Sequence, residues 1–352
     1  MKDKKITSLK VAGTYIGTIV GAGFASGQEM LQFFVSFGKM GLLGLLVVTF
    51  LFIYFGYIVM KLGLELGASS HLPVVMKIGG SILGTFSDAV ITFFLFGSLT
   101  AMIAGSGALF AQEFNAHPLA GSLFMAVITI ITVLCGFYGI INSISAVVPF
   151  LILTAVGVGA ASVIAAMTEP QAQVTDMTAA IPKSGLLRNW LWSAVIYTSY
   201  NSVTAISILA PLGEKTRDIK VIRKGAILGG LGLGIGALAI YTALYINAGD
   251  VINMEVPMIF VARSISPLVK VIYAVVLLAE IYTTAVSDLY GFSARLCNMG
   301  GKHSRPVILG SILAAFLASL AGFSNLVKYL YPVVGYCGVI TLCCLVYHEY
   351  KT

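Results

Sequence analysis

"GTIVGAGFASGQE", residues 17–29, lies inside a segment that is otherwise apolar enough to cross a membrane. The stretch holds four glycines and one acid, although an unsatisfied backbone group at bilayer depth costs several kcal/mol. Glycine tolerates unwound backbone and lets other groups approach closely. We therefore interpret this segment as two half-helices joined by an unwound link at "VGAGFASG". Tight helix packing through the small residues Gly17 and Gly21, spaced as GxxxG, is the alternative.

Composition places the whole chain in a membrane. Of 352 residues, 58% are hydrophobic and only 10% charged, against about 25% charged in a typical soluble domain. The mean hydropathy is +0.97. The net charge of +7 comes from basic residues in short loops, where they set membrane topology and do not indicate a nucleic-acid partner. We predict a single all-α polytopic transmembrane domain over residues 1–352, with the lipid bilayer as its surroundings.

Apolar segments of spanning length occur ten times along the chain. We place these predicted spans at about residues 9–37, 40–66, 84–113, 118–137, 140–168, 187–211, 222–247, 267–295, 305–323 and 326–348. Two shorter segments, "LPVVMKIGG" (72–80) and "VPMIFVARSI" (256–265), are interpreted as interfacial or re-entrant helices. Alternating the loops puts 15 of the 21 Lys and Arg on the side of the N-terminus, which predicts that both termini are cytoplasmic.

A second interruption is predicted in span six. Residues Tyr197–Ser202, "YTSYNS", are six consecutive polar or amphipathic residues, and they follow the first interruption by about half the chain length. Ten spans then divide into halves at about 9–168 and 187–348, each with five spans and therefore of opposite orientation. Paired broken helices in an inverted 5+5 repeat are typical of secondary transporters with a binding site at the bilayer midplane.

The residues Gly17–Gly23, "GTIVGAG", are similar to the glycine element in the first helix of amino acid/polyamine/organocation transporters with the LeuT fold. Over its whole length the chain resembles the YkvI-like bacterial membrane proteins, which are classed with amino acid permeases. The resemblance implies a multi-pass protein of the cytoplasmic membrane of a prokaryote. It also implies symport of a small molecule with Na⁺ or H⁺ and no other cofactor. Spans one, two, six and seven would rock against spans three, four, eight and nine.

The two predicted breaks define a candidate substrate site. The half-helix beginning near Phe24 would present amides to a carboxylate, and carbonyls around Ile196–Thr198 would receive an ammonium group. A zwitterionic amino acid satisfies both ends. The predicted substrate-binding residues are Gly21, Ala22, Gly23, Phe24, Tyr197, Thr198, Ser199, Asn201 and Ser202. Each of the span-six side chains could instead bridge helices.

A cation site is implied by the same resemblance. In sodium-coupled members, carbonyls of span one and small or hydroxyl residues of span eight hold the ion. The matching positions here are Gly17, Val20, Ala279, Thr283 and Thr284. Tyr282 occupies what looks like one hydroxyl-ligand position, which departs from the pattern. Some proton-coupled relatives place a lysine from span five at this site, and span five has none here, which favours sodium.

Acidic residues inside a membrane are expensive and usually functional. Glu280 is the deepest and is a candidate proton carrier, Asp288 a candidate inner gate, and Glu29 a candidate outer gate with Lys328 as its partner. Asp88 and Glu113 lie near the ends of span three, where exposure at the interface is the simpler account. Hydration is the competing interpretation for Glu29 and Asp288.

Other classes of protein fit the sequence less well. The four histidines lie in loops or near the termini and no HExxH motif occurs, so the chain is not predicted to be an enzyme. The five cysteines suggest neither a disulfide framework nor a zinc site. A channel gives no reason for two breaks, and a metal-ion transporter of this fold would carry an Asp-Pro-Gly-type break. A sensor without transport activity, or a transporter of a different small solute, remains an open alternative.

Overall fold

The computed structural model describes residues 6–68, 70–135, 150, 152–165, 185–297 and 301–351, and its regular elements are helices throughout these ranges. The α-helices are α1 (Ser8–Ile19), α2 (Ala22–Ser26), α3 (Gln28–Phe33), α4 (Lys39–Glu65), α5 (Leu72–Phe114), α6 (Pro118–Cys135), α7 (Ile152–Ala165), α8 (Trp190–Thr216), α9 (Ile219–Ile246), α10 (Ala248–Val251), α11 (Pro257–Ile265), α12 (Pro267–Leu296), α13 (Ser304–Ser319), α14 (Phe323–Asn325) and α15 (Tyr331–Lys351). A 3₁₀ turn, Val35–Phe37, follows α3, and a π-helical turn, Leu326–Leu330, joins α14 to α15.

Six helical segments in the described ranges are long and apolar enough to cross a membrane: α4, α5, α8, α9, α12 and the continuous segment Phe323–Lys351. The shorter apolar helices α6, α7 and α13 and the broken first segment occupy the other predicted spans. The long helices carry many large apolar side chains that remain exposed, as expected for helices that contact lipid. The all-α membrane class is therefore confirmed, whereas ten spans in a 5+5 repeat remain a prediction.

The first span is broken where the sequence predicts. Helix α1 ends at Ile19, Val20 and Gly21 are extended, and α2 begins at Ala22. The predicted link, residues 20–27, is unwound only at its two ends: α2 occupies Ala22–Ser26, and a second break follows at Gly27, whose φ of 86° is in the left-handed region that favours glycine. The prediction of one long half-helix starting near Phe24 is therefore wrong, because α2 is only five residues long.

The second predicted break, in span six, is not present in the structure. Residues Trp190–Thr216 form one continuous helix through Tyr197–Ser202. The polar side chains bond to carbonyl groups one turn earlier: Thr198 Oγ1 donates to the Ala194 carbonyl, and Asn201 Nδ2 donates to the Tyr197 carbonyl. Such back-bonding satisfies polar groups inside a helix without unwinding it. The carbonyls of Ile196–Thr198 therefore belong to regular helix and do not form an open ammonium site.

The two predicted interfacial segments are helical. Residues 72–79 form the start of α5 and are separated from its long part by Gly80, which has a φ of 64°. The second segment is α11, nine residues long. The remaining predicted bounds for span five extend beyond α7 into residues outside the described ranges.

The long helices pack in two groups. In the first helix group, α1 and α4 pack against α8 and α9; in the second, α6, α12 and α13 pack against α5. Helix α15 contacts both α8 and α5. Helix α2 contacts α12 and α5, so the short piece between the two breaks of the first span lies where the groups meet. This junction is where a functional site would be held between two bodies.

Candidate functional site at the break of the first span

The break in the first span faces α12. A Cβ atom added to Gly21 would lie 4.0 Å from Cγ2 of Thr284, and the Tyr273 hydroxyl donates a hydrogen bond of 2.7 Å to the Ala25 carbonyl. Residues on one face of a helix recur about every seven positions, so Glu280 lies on the same stripe of α12 as Tyr273, roughly 10 Å further along the axis. Tyr273, Glu280 and Thr284 therefore share the face of α12 that meets the first span.

The break leaves backbone oxygens available. The Val20 amide donates to the Ile16 carbonyl and the Ala25 amide donates to the Gly21 carbonyl. Within the described ranges, the carbonyls of Gly17 and Val20 accept no backbone hydrogen bond. Carbonyls at the end of a helix have no intrahelical partner and carry the negative end of its dipole. The end of α1 can therefore attract a cation.

The predicted cation ligands on α12 differ in their distance from the break and in their hydrogen bonds. Thr284 lies beside the break, and Thr283 is buried with its hydroxyl donating to the Glu280 carbonyl at 3.1 Å. Ala279 is half-buried. The Tyr282 hydroxyl is 2.7 Å from that of Thr132 on α6, so Tyr282 is committed to a neighbouring helix. Thr284 is thus the predicted ligand that the structure places closest to the break.

The predicted substrate-binding side chains are only partly brought together. Ser199 donates to the Gly335 carbonyl on α15 and Thr198 is back-bonded, while in the described part of the chain the Ser202 hydroxyl has no hydrogen-bond partner. Phe24 points at α9, because its ring lies 3.4 Å from where a Cβ on Gly236 would be. On α8, Tyr197 is the predicted side chain that reaches the first span.

Glu29 and Tyr197 form the core of an aromatic cluster. The Tyr197 hydroxyl donates to Glu29 Oε2 at 3.1 Å, and Glu29 Oε1 lies 2.2 Å from the position of an added Cβ on Gly23. Gly23 is therefore required for the carboxyl to approach α2 closely. The rings that pack on Tyr197 and Tyr200 come from α3 and the residue after it, α4, α5 and α15, namely Phe33, Phe34, Phe52, Phe94 and Tyr331. Sequence reasoning missed Phe33, Phe34, Phe52, Phe94 and Tyr331, because aromatic residues are common in every span.

Three acids are buried in the helical bundle without a cation. Glu29, Glu280 and Asp288 are 4%, 2% and 8% exposed, and none takes part in an ion pair within the described ranges. The ion pairs found there are Lys61–Glu349, His71–Asp88, Arg295–Asp88 and Lys270–Glu113. The pairing of Glu29 with Lys328 is wrong, because the Lys328 amine lies over the Tyr329 ring, 5.4 Å from its centroid.

Asp88 is not simply exposed at the interface. It contacts both Arg295, at the end of α12, and His71, which precedes α5. Burial and the nearby Arg295 guanidinium lower the pKa of His71 to about 4. This cluster ties α5 to α12 at the end of the second helix group.

We expect acid to destabilise this cluster. His71 stays neutral in the folded protein down to about pH 4, whereas an unfolded histidine takes up a proton near pH 6.5. The unfolded chain therefore binds more protons in that window, and stability is lost as the pH falls from about 6.5 to 4. His71→Gln should flatten this part of the profile when thermal unfolding of the purified protein is followed against pH. An unchanged slope would contradict the assignment, and exposed His303 offers the matched His303→Gln control.

A cavity of about 650 Å³ opens at one end of the bundle, which we call the distal end and define by residues 115–117, 252–256 and 319–325. Gln28 Nε2 donates to the Met254 carbonyl at 2.6 Å and to Ser324 Oγ at 3.0 Å. Gln112 on α5 exchanges two hydrogen bonds with the backbone of Val256. These bonds hold the loop 252–256 against α3 and α5 at this end.

The fold is that of LeuT-fold membrane transporters. The inward-facing conformation of Mhp1 superposes with a TM-score of 0.61 over 97% of this chain and 76% of that chain, at 12% identity. A manganese transporter of Eremococcus coleocola gives 0.52 over 98% and 72%, also at 12% identity. Identities this low establish the fold and leave the substrate undetermined.

The chain belongs to the family of the Bacillus subtilis membrane protein YkvI, described as an uncharacterized membrane protein. The two are 30% identical over 336 residues, which cover 96% of this chain and 94% of YkvI. A second B. subtilis protein, YyaD, is 28% identical over 94% of this chain and 93% of its own length. No family model matches the sequence.

Proposed function

We propose that this protein is a secondary active transporter of the cytoplasmic membrane that takes up an amino acid or a similar small zwitterion together with Na⁺ or H⁺. The observation that carries the proposal is the break of the first span at Val20–Gly21, packed against Thr284 on α12. Open backbone at membrane depth is tolerated where it lines a binding site.

The packing of the helices supports alternating access. The first helix group corresponds to predicted spans one, two, six and seven, and the second to spans three, four, eight and nine. These are the two bodies that the resemblance implies should rock against each other. The break lies at their junction, so a ligand bound there would contact both bodies and could favour one arrangement over the other.

The donor set of the break favours a cation as the coupling ligand. Carbonyl oxygens of Gly17 and Val20 at the end of α1, and the Thr284 hydroxyl and Glu280 carboxyl on α12, are hard oxygen donors. Hard cations prefer such ligands. Glu280 Oε2 is buried and has no hydrogen-bond partner in the described part of the chain. The Tyr282 hydroxyl is bonded to Thr132 and is not available as a ligand, so Glu280 would supply the anionic ligand of the site.

Uptake into proteoliposomes tests the proposal. A mixed set of labelled amino acids is offered under an imposed Na⁺ gradient, under an imposed H⁺ gradient and with neither. Accumulation driven by one gradient is the expected result, and it identifies the coupling ion. Ligand binding without uptake under either gradient would contradict transport and favour the sensor alternative.

Glu280→Gln should uncouple uptake from the ion gradient. Removing the charge should lower gradient-driven uptake at least about tenfold, corresponding to about 1.4 kcal/mol of lost cation binding. The measurement is the initial rate of uptake at increasing concentrations of the driving ion. The matched control is Asp250→Asn, an exposed acid in α10, which should retain the normal rate. Equal uptake by Glu280→Gln and the wild type would remove Glu280 from the coupling site.

A further inference from the structure

Glu29 is buried beside tyrosine and phenylalanine side chains, whereas the break of the first span offers backbone carbonyl groups. Its carboxyl accepts a hydrogen bond from the Tyr197 hydroxyl at 3.1 Å, lies against Gly23 and is 4% exposed. The ring of Phe33 lies 5.4 Å from that of Tyr197 and 5.7 Å from that of Tyr200. The Tyr200 hydroxyl, one helical turn further along α8, is also buried and approaches the same carboxyl.

This donor set can neutralise Glu29 in only one way. A bare carboxylate buried among apolar groups carries a large desolvation penalty unless it is paired or neutralised. An alkali or alkaline-earth ion needs about six oxygen ligands, and aromatic rings do not supply them. A proton needs one oxygen and no added volume. The enclosed state of Glu29 therefore matches the neutral carboxylic acid, with the Tyr197 hydroxyl donating to one of its oxygens.

The position of Glu29 connects this proton to the distal end. Glu29 and Gln28 are adjacent on α3, and Gln28 holds the loop 252–256 through the Met254 carbonyl and Ser324. Burying the Glu29 carboxyl and closing the loop over α3 are therefore parts of the same arrangement. If α3 moves outward, the carboxyl meets water and ionises, and the hydrogen bonds of Gln28 to the loop break.

We propose that Glu29 is a proton-binding site, separate from the cation site at the break, and that its protonation closes the distal end over the first span. A proton from bulk water forms an O–H bond with the Glu29 carboxylate as α3 closes, and the same bond breaks when α3 opens and the proton returns to water. The number of protons is conserved, and no other reactant is needed. The coupling of this proton to solute uptake rests on the proposed function, whereas the closure itself does not.

The other titratable groups near Glu29 are tyrosines, one lysine and one carboxyl group. Tyr197 and Tyr200 approach it from α8, and Tyr331 on α15 packs against the Tyr200 ring. Tyr241 on α9 donates to the Gly38 carbonyl, and Lys328 lies over Tyr329. Glu255 in the loop is the one competing carboxyl at the distal end in the described ranges. Burial raises the pKa of Glu255, although hydrogen bonds from the amides of Phe323 and Ser324 oppose the shift.

Distances across the distal end test the proposal without a substrate. Spin labels are attached at Asn253 and Ala321, both exposed, in full-length protein whose five native cysteines are replaced and which is reconstituted in lipid nanodiscs. We expect the short-distance population to grow as the pH falls from 9 to 5. Glu29→Gln resembles the protonated acid, so it should remain closed across the whole range and lose the pH transition.

Two further variants make the outcome specific to Glu29. Glu255→Gln and Asp250→Asn should each keep the transition of the wild type. A transition that persists in Glu29→Gln, or that disappears in Glu255→Gln, would overturn the proposal. Distances that do not change with pH in the wild type would overturn it as well. If Glu29→Gln instead opens the distal end, then Glu29 pairs with a cation and the proton assignment is wrong.

Infrared spectroscopy supplies a readout that does not depend on movement. The C=O stretch of a protonated carboxylic acid should be present in the closed protein at neutral pH and should lose one component in Glu29→Gln. A spectrum identical to that of the wild type would contradict the proposal. Because neither measurement uses uptake, failure of transport with an intact pH transition would remove the proposed function and leave the proton site standing.

Discussion

Gly21→Leu is expected to abolish uptake while the protein still inserts into the membrane and purifies as a folded species. Gly21 has extended backbone angles that any residue can adopt, so leucine brings no backbone strain. Its Cβ would fit, since the nearest atom, Thr284 Cγ2, is 4.0 Å away. The remaining side-chain atoms would project towards α12 and fill the break. Misplacing reacting groups by about 1 Å can cost a factor of about 100, and we expect a loss of at least that size.

Gly21→Ala is the matched control for this variant. Alanine adds only the Cβ, which meets no atom closer than an ordinary contact. Uptake should therefore stay within about twofold of the wild type, an effect below 0.5 kcal/mol. Initial uptake rates, normalised to the amount of reconstituted protein, compare the three proteins. Normal transport by Gly21→Leu would show that the break does not hold the ligand.

Gly213→Ala should have the largest effect on stability. A Cβ at Gly213 would lie 2.0 Å from the Met60 carbonyl oxygen, and one at Gly63 would lie 2.1 Å from the carbonyl oxygen of Ala210. The obstructing atoms belong to the backbone, so α4 and α8 must separate. Overpacking of this kind costs about 1–3 kcal/mol, and close contact of helices through small residues is a main source of packing in membranes. Unfolding of the purified protein in detergent measures the loss.

Gly310→Ala on α13 provides the comparison for Gly213→Ala. A Cβ at Gly310 would meet nothing within 4 Å, and alanine is favoured over glycine in a helix by up to about 1 kcal/mol. This variant should be neutral or slightly stabilised. Gly63→Ala combined with Gly213→Ala should cost less than the sum of the two, because both positions belong to one contact. Similar stabilities for Gly213→Ala and Gly310→Ala would contradict the close approach of α4 and α8.

Local sequence was sufficient for the first break and insufficient for the second. Residues 17–23 contain three glycines, and their lack of side chains allows the backbone to unwind wherever other groups can satisfy it. Residues Tyr197–Ser202 are polar but contain no glycine or proline. Polarity by itself does not unwind a helix, because side chains such as Asn201 can bond to their own helix. The pattern could therefore not distinguish an open site from a satisfied one.

The buried acids can be identified from the sequence, but their interaction partners cannot. Their cost in a membrane marks Glu29, Glu280 and Asp288 as functional candidates from the sequence alone. The sequence does not contain the partners: Tyr197 lies 168 residues from Glu29, and Thr284 lies 263 residues from Gly21. Whether an acid meets a cation, a hydroxyl or an aromatic ring is decided by which helices pack together.

The sequence by itself determined that this is a helical membrane protein with an unwound first span, because hydrophobicity and glycine content act through local physical effects. The resemblance of the whole chain to YkvI-like membrane proteins is confirmed by its relatives. Only the tertiary structure decided that α8 is continuous, that the break faces Thr284, and that Glu29 is buried against Tyr197. Those features depend on contacts between residues far apart in the chain, which helix packing creates.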